Sequence, residues 1–186
     1  LRRNGAFRAL FIALLVSYCG DWFATVSLLG KVGDLTDDSA VATAAVLACQ
    51  FVPTLVLAPL AGPLADRMDR RTIMIVVSLL QAVAALGYLS LGPGRVWVAY
   101  VATVSIASLA TFFGPAAQAA VPNLVEPEDL ALANSIMGGT WGAMLAVGAG
   151  LGGLFAVAFG RNAAFTADSL SFVAAAVGIA TIRRPT

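Results

Sequence analysis

The stretch that decides the fold is residues 41–71, which read VATAAVLACQFVPTLVLAPLAGPLADRMDRR. Residues 41–65 carry no charged side chain, whereas five of the six residues 66–71 are charged. A helix needs about 20 apolar residues to cross a hydrocarbon core that is about 30 Å thick. The stretch therefore predicts a transmembrane helix that ends in a basic connection.

Apolar runs of similar length lie on both sides of this stretch, and across all six runs the only charged residues are Asp21 and Asp168. The whole chain is 60% hydrophobic and 11% charged, against about 25% charged in typical globular domains. A soluble domain would have to cover these runs, and too little polar chain remains to do so. We expect an all-α integral membrane protein, one domain over 1–186, with spans at 9–30, 41–64, 73–92, 96–118, 130–159 and 162–182.

Local signals set the expected helix ends. Ser39 is placed to cap the second helix, and the third is expected to stop at Gly92, where Gly-Pro-Gly forms a turn. Pro122 is expected to break the tail of the fourth helix into a connector, and Pro127 to begin the fifth helix.

The residue inventory excludes several kinds of chemistry. The chain has no histidine, its two cysteines lie singly within apolar runs, and its only lysine is Lys31. A Ser-His-Asp relay, a histidine-bound zinc and a phosphate-binding loop cannot be built from these residues. The net charge of +1 indicates no nucleic-acid partner, so we expect no metal, no cofactor and no enzyme activity.

Basic residues are distributed unevenly between the two sides of the predicted bundle. Three lie on one side, and eight on the side that holds both termini: Arg2, Arg3, Arg8, Arg67, Arg70, Arg71, Arg183 and Arg184. Cytoplasmic loops are enriched in Lys and Arg. The distribution predicts both termini in the cytoplasm of a multi-pass cell-membrane protein.

The connection after the second run has a recognisable order of residues. It contains Gly62, Asp66, Arg67, Arg70 and Arg71, and it resembles the loop signature of the major facilitator superfamily, which lies between spans 2 and 3. Glycine permits close approach of helix ends, the aspartate can accept from a helix N-terminus, and the arginines offer forked donors. We interpret the five residues as a cytoplasmic gating loop.

A second resemblance runs through the later helices, at residues 113–125, 130–135, 148–153 and 164–172. These stretches are similar to the superfamily branch that includes enterobactin exporters and macrolide-efflux-like permeases. The resemblance implies the N-terminal six-helix half of a transporter, built as a 3+3 inverted repeat. The chain begins at Leu1 without methionine, and we expect it to be a fragment that lacks the C-terminal half.

The resemblance also implies an activity, namely secondary active efflux of small amphiphilic molecules by alternating access, driven by protons. A second six-helix half, in the same polypeptide or another copy, is the implied partner. The alternative is a non-transporting membrane scaffold or regulatory half-transporter. An intramembrane enzyme is disfavoured because the acidic residues within the runs are not paired on one helix.

Asp21 and Asp168 are the ionisable groups expected at membrane depth. A charge there costs about 2.5–3.5 kcal/mol on insertion scales, so each is a candidate for proton or substrate binding. The alternative is a structural carboxyl, hydrogen-bonded for Asp168 to Asn162, Ser169 or a neighbouring helix. Trp22 and Trp141 are further candidates for lining a substrate cavity, and packing is the alternative for both.

The fifth run is rich in glycine. Gly148 and Gly152 form a small-residue ridge of the kind that lets helices pack closely in lipid, and Gly153 adjoins it. These three residues are predicted to serve helix packing, or to act as a hinge during gating.

Overall fold

A computed structural model describes residues 4–182; the side chains of residues 65 and 66 fall outside that description. Within this part of the chain the structure is helical, with no strand. Its main helices are α1 (Gly5–Leu35), α2 (Ala40–Arg67), α3 (Arg70–Leu86), α4 (Trp97–Leu124), α5 (Leu130–Phe159) and α6 (Arg161–Ala180). Short 3₁₀ turns at Gly87–Ser90 and Pro127–Asp129 follow α3 and precede α5.

Six helices of the described part are long and apolar enough to cross a membrane, which confirms the predicted all-α membrane fold. Side-chain caps begin the first three. Asn4 accepts from the N–H of Phe7, Ser39 from that of Ala42, and Asp69 from that of Thr72. Each cap pairs one of the N–H groups that a helix leaves free at its start.

The helices pack in a pattern with internal symmetry. α1 packs on α5 and α6, α4 packs on α2 and α3, and α3 packs on α6. The pattern is unchanged when α1, α2 and α3 are exchanged with α4, α5 and α6. Since consecutive helices run antiparallel, exchanged helices point in opposite directions, which is the 3+3 inverted repeat.

Two apolar cores lie at the two ends of the bundle. One is formed around Leu10, Met74 and Ile179, at the end that carries the α2–α3 connection; we call this the basic end. The other surrounds Leu28 and Phe165 at the opposite end. α2 and α5 contribute least to the cores, since only 11% of the most apolar 18-residue stretch of each helix is buried.

The predicted end of the fourth helix is wrong. α4 continues past residue 118 to Leu124 with Pro115 and Pro122 inside it. Prolines are tolerated in buried membrane helices when neighbouring groups satisfy the carbonyls. Pro122 removes the helical donor to the carbonyl of Gln118, one residue before Ala119. Arg70 donates to the carbonyl of Ala119 and Asn4 to that of Leu124, so these bonds hold the tail of α4, and its packing against the core outweighs the proline signal.

The α2–α3 connection is also shorter than predicted. α2 continues through Gly62 and Pro63 to Arg67, so only Met68 and Asp69 separate the two helices. α3 ends at Leu86 and passes into the 3₁₀ turn, earlier than the predicted end at residue 92. Pro127 begins a 3₁₀ turn, and α5 itself begins at Leu130.

Candidate functional site: a cavity and a carboxyl pair in the bundle

A cavity of about 600 Å³ lies between α1, α4 and α5. Its lining residues come from the N-terminal halves of α1 and α5 and the C-terminal half of α4, so it occupies the half of the bundle nearest the basic end. They are Phe11, Leu14, Tyr18, Gly114, Ala117, Gln118, Pro122, Asn134, Met137, Gly138, Thr140 and Trp141. Small-molecule sites commonly measure about 300–1,000 Å³, so the cavity has room for one ligand.

The chemistry of the cavity wall is amphiphilic. Phe11, Met137 and Trp141 provide apolar and aromatic surface, while Gln118 and Asn134 provide amide donors and acceptors. No charged side chain is among the lining residues that the structure describes. The wall can therefore hold an apolar body and pair a few polar groups of a ligand without supplying a counter-charge.

Sequence reasoning identified Trp141 as a candidate for the cavity wall and missed the rest of this set. Gln118, Asn134 and Tyr18 are polar side chains inside apolar runs, which is a usable signal in a membrane helix. They lie on three different helices, however, and only the packing of those helices brings them together.

The two intramembrane carboxyl groups lie on α1 and α6, two helices that pack against each other. Asp168 is buried, with 1% of its surface exposed, and Asp21 is half-buried. A Cβ placed on Gly20, the residue before Asp21, would lie 3.0 Å from Oδ1 of Asp168. Asn162 and Ser169, expected as possible partners of Asp168, bond elsewhere: Asn162 accepts from Lys31 and Ser169 donates to the carbonyl of Ala82.

Trp22 lies at the contact between α1 and α5. A Cβ placed on Gly148 would lie 3.0 Å from the Cβ, Cγ and Cδ1 atoms of Trp22, and a Cβ on Gly152 would lie 2.9 Å from its carbonyl oxygen. Trp22 is not among the residues that line the cavity. Gly153 is less closely packed, since a Cβ placed on it would meet only the Val26 side chain, at 3.9 Å.

Two arginines of the predicted gating loop, Arg70 and Arg71, contact other helices of the same bundle. Arg70 donates to the carbonyl of Ala119 in α4 at 2.8 Å. Arg71 donates to the carbonyls of Ile179 and Ala180 at the end of α6. The two guanidinium groups thus satisfy carbonyls of α4 and α6 and place positive charge on the negative end of the α6 dipole.

The other members of the predicted loop show fewer contacts. A Cβ on Gly62 would meet no described atom within 4 Å, so the expected close approach of helices is not formed there. Arg67 is exposed. The side chain of Asp66 lies outside the described residues, as do Arg2, Arg3, Arg183 and Arg184 of the predicted basic side.

Asp69 lies at the same basic end, where its side chain caps the N-terminus of α3. Its carboxylate accepts from the hydroxyl of Thr72 at 2.5 Å and from the N–H of Thr72 at 2.8 Å. These bonds, the hydroxyl's first, hold the pKa of Asp69 below its usual value.

At the opposite end, α1 is tied to α6. Arg161 forms an ion pair with Asp34, and Lys31 donates to the amide oxygen of Asn162 at 3.0 Å. The Lys31 ammonium also lies 5.5 Å from the centre of the Phe165 ring. Asp21 and Asp168 therefore lie between two sets of polar contacts. At the basic end, Arg71 donates to the last carbonyls of α6. At the opposite end, Arg161 and Asn162 bind Asp34 and Lys31 of α1.

Comparison with known proteins identifies the family of this chain. The family model described as transmembrane secretion effector matches residues 2–186. The chain is 24% identical over 176 residues to YfiS of Bacillus subtilis (strain 168), described as an uncharacterized MFS-type transporter. That match covers 95% of this chain but 42% of the relative, so the chain spans about two fifths of the relative's length. With six membrane-length helices in an inverted repeat and a family match along nearly its whole length, the chain belongs to the transmembrane secretion effector family of the major facilitator superfamily.

Proposed function

We propose that the protein is a secondary active transporter that exports small amphiphilic molecules across the cell membrane by alternating access, with protons as the coupling ion. The observation that carries the proposal is the 600 Å³ cavity inside a membrane-spanning bundle, with an aromatic and amide wall. Membership of a transporter superfamily supports it. The macrolide and enterobactin branch stays a prediction.

The position of the cavity supports export. It lies in the half nearest the basic end, and the excess of arginine there favours a cytoplasmic position for that end and for both termini. A ligand would then enter from the cytoplasm or the inner leaflet and leave on the other side once the bundle has changed its tilt.

A second six-helix half is the proposed partner, supplied by the same polypeptide or by another copy. The chain covers 42% of its relative, which leaves length for a further bundle there. α2 and α5 present large exposed apolar faces, with Leu55 at 79% and Val157 at 89% exposure. Lipid and the second half would share these faces.

The test is uptake into inside-out vesicles reconstituted with the full-length polypeptide. The probes are chloramphenicol, a neutral amphiphile, and tetraphenylphosphonium, a lipophilic cation, each with and without an imposed pH gradient. We expect gradient-driven accumulation, with chloramphenicol favoured because no charged residue lines the cavity. Equal uptake of both probes by vesicles with and without the protein would refute transport of this class and would favour the scaffold alternative.

A matched pair of tryptophan variants locates the ligand. Trp141 lines the cavity and is 53% exposed, whereas Trp97, outside it, is 60% exposed. We expect Trp141→Ala to raise KM about tenfold, a loss of about 1.4 kcal/mol of binding, while Trp97→Ala leaves it unchanged. The same effect in both variants would mean that the cavity does not bind the probe.

A further inference from the structure

The wall of the cavity carries two side-chain amides, one on each of two helices. Gln118 of α4 and Asn134 of α5 both line the cavity, although α4 packs mainly on α2 and α3, and α5 mainly on α1. Both side chains are exposed, and neither amide forms a hydrogen bond with another residue of the described part. Because an unpaired amide is costly in hydrocarbon, these two groups need water or a ligand as their partner inside the cavity.

The two amides lie at a similar depth in the bundle. α4 ends at Leu124 and α5 begins at Leu130, both at the basic end. With a rise of about 1.5 Å per residue, Gln118 lies about 9 Å and Asn134 about 6 Å from these helix ends. The difference in depth is therefore only about 3 Å, so one end of a ligand can meet both amides.

Aromatic surface lies deeper in the same cavity. Trp141 follows Asn134 by about two helical turns and lines the cavity with it, which places Trp141 roughly 10 Å farther from the basic end. Tyr18, also in the wall, lies roughly 20 Å from the start of α1, a helix that begins at the basic end. A ligand in the cavity therefore meets the amides with the end nearest the basic end and these rings with its other end.

The donors and acceptors of a side-chain amide determine which ligand group fits. Each amide offers two N–H donors and one carbonyl acceptor. A ligand carboxamide has both a carbonyl and an N–H, so it can pair with both kinds of group. An ammonium group has donors alone and a carboxylate has acceptors alone, so either would leave part of the two amides unpaired once water is displaced. No charged side chain of the described wall would offset the charge of such a ligand.

We propose that Gln118 and Asn134 together bind the polar end of the ligand, and that they select neutral amphiphiles that carry a carboxamide with a free N–H. The ligand joins α4 to α5 through the two amides, while its apolar body lies against Trp141. The pairing is a property of the binding site alone, whereas its role in choosing what is exported rests on the proposed function.

The test is equilibrium dialysis of the purified full-length polypeptide in detergent. The probes are chloramphenicol, which carries a secondary amide, and its N-methylated derivative, which keeps the ring and the carbonyl but lacks the amide N–H. The wild type should prefer chloramphenicol about tenfold, because the derivative leaves a desolvated acceptor of the site unpaired. The double variant Gln118→Leu/Asn134→Leu should bind chloramphenicol about tenfold more weakly and should not distinguish the two probes.

Ser135→Ala provides the matched control. Ser135 follows Asn134 directly, is not among the described lining residues, and donates its hydroxyl to the carbonyl of Ala131 within α5. The variant removes a polar group from the same turn of the helix, and it should keep the affinity and the preference of the wild type. If the double leucine variant is not monodisperse, alanine at the same two positions makes the same comparison.

The proposal would be overturned by a wild type that does not bind chloramphenicol or that binds both probes equally. A double variant that keeps the tenfold preference, or a Ser135→Ala variant that loses it, would also overturn it. The dialysis uses no gradient, so it separates this proposal from export. A protein that shows the preference but accumulates no chloramphenicol in vesicles would keep the amide site and refute export, whereas export without the preference would do the opposite.

Discussion

The contact between Gly152 and α1 yields a sharp prediction about stability. A Cβ at Gly152 would lie 2.9 Å from the carbonyl oxygen of Trp22 and 3.1 Å from the Cα of Phe23. Both are backbone atoms of a helix, so neither can turn away as a side chain would. Gly152→Ala must therefore push α5 and α1 apart.

The magnitude follows from two opposing terms. Alanine is favoured over glycine in a helix by about 1 kcal/mol, whereas overpacking a close contact costs about 1–3 kcal/mol. Gly150 provides the control because it lies in the same helix and a Cβ there meets nothing within 4 Å. Gly150→Ala gains the helix term alone, so we expect Gly152→Ala to be less stable than Gly150→Ala by about 1–3 kcal/mol.

The assay is unfolding of the full-length polypeptide in mixed micelles by increasing amounts of sodium dodecyl sulfate, followed by circular dichroism. Comparing the two alanine variants cancels the helix term and isolates the contact. Equal midpoints for Gly152→Ala and Gly150→Ala would refute the reasoning, since they would show that α5 does not approach α1 this closely.

Three further predictions use the same unfolding assay. Arg71→Ala should lose about 1 kcal/mol because the last carbonyls of α6 lose their donor, and Arg71→Lys should recover only part of it; full recovery would mean that charge alone matters. Bonds from Thr72 lower the pKa of Asp69 in the folded protein. The cap therefore stabilises the folded state fully above the ordinary carboxyl pKa of about 3.9, and this stabilisation is lost as the pH falls through the lowered pKa. Asp69→Asn should remove that part of the acid sensitivity, and an unchanged pH profile would contradict the cap. Arg161→Gln should change stability by less than about 1 kcal/mol because its ion pair with Asp34 is largely exposed; a larger loss would show that this tie holds α1 to α6.

The fold was predictable because the bilayer imposes a strict rule on sequence. A run such as 41–65, without a charge, has few structural options other than a spanning helix. Ser39 was likewise identified as a cap, since its hydroxyl is followed directly by the helix. Prediction failed at Pro122, where α4 continues because its tail packs in the core and is held by bonds from Asn4 and Arg70, which lie in distant parts of the chain.

The candidate site was predictable only as separate residues. The sequence identifies Asp21 and Asp168 as charges at membrane depth, but 147 positions separate them and no local pattern pairs them. Asp168 lies against α1 because α6 packs there at Gly20, the residue before Asp21. The cavity wall has the same character, since Tyr18, Gln118 and Asn134 become one surface only when three helices assemble.

These placements make α1 the helix that connects the parts of the site. Successive residues of a helix are rotated by about 100°, so Gly20 and Trp22 face nearly opposite directions. Gly20 contacts α6 beside Asp168, and Trp22 contacts α5 at Gly148 and Gly152. α5 also carries part of the cavity wall. Because the contact between Gly152 and α1 is backbone against backbone, a displacement of α5 by a ligand has to move α1, and with it the environment of Asp21. We therefore expect a ligand in the cavity to affect the surroundings of Asp21 through α1, and Gly152→Ala to disturb that effect as well as stability.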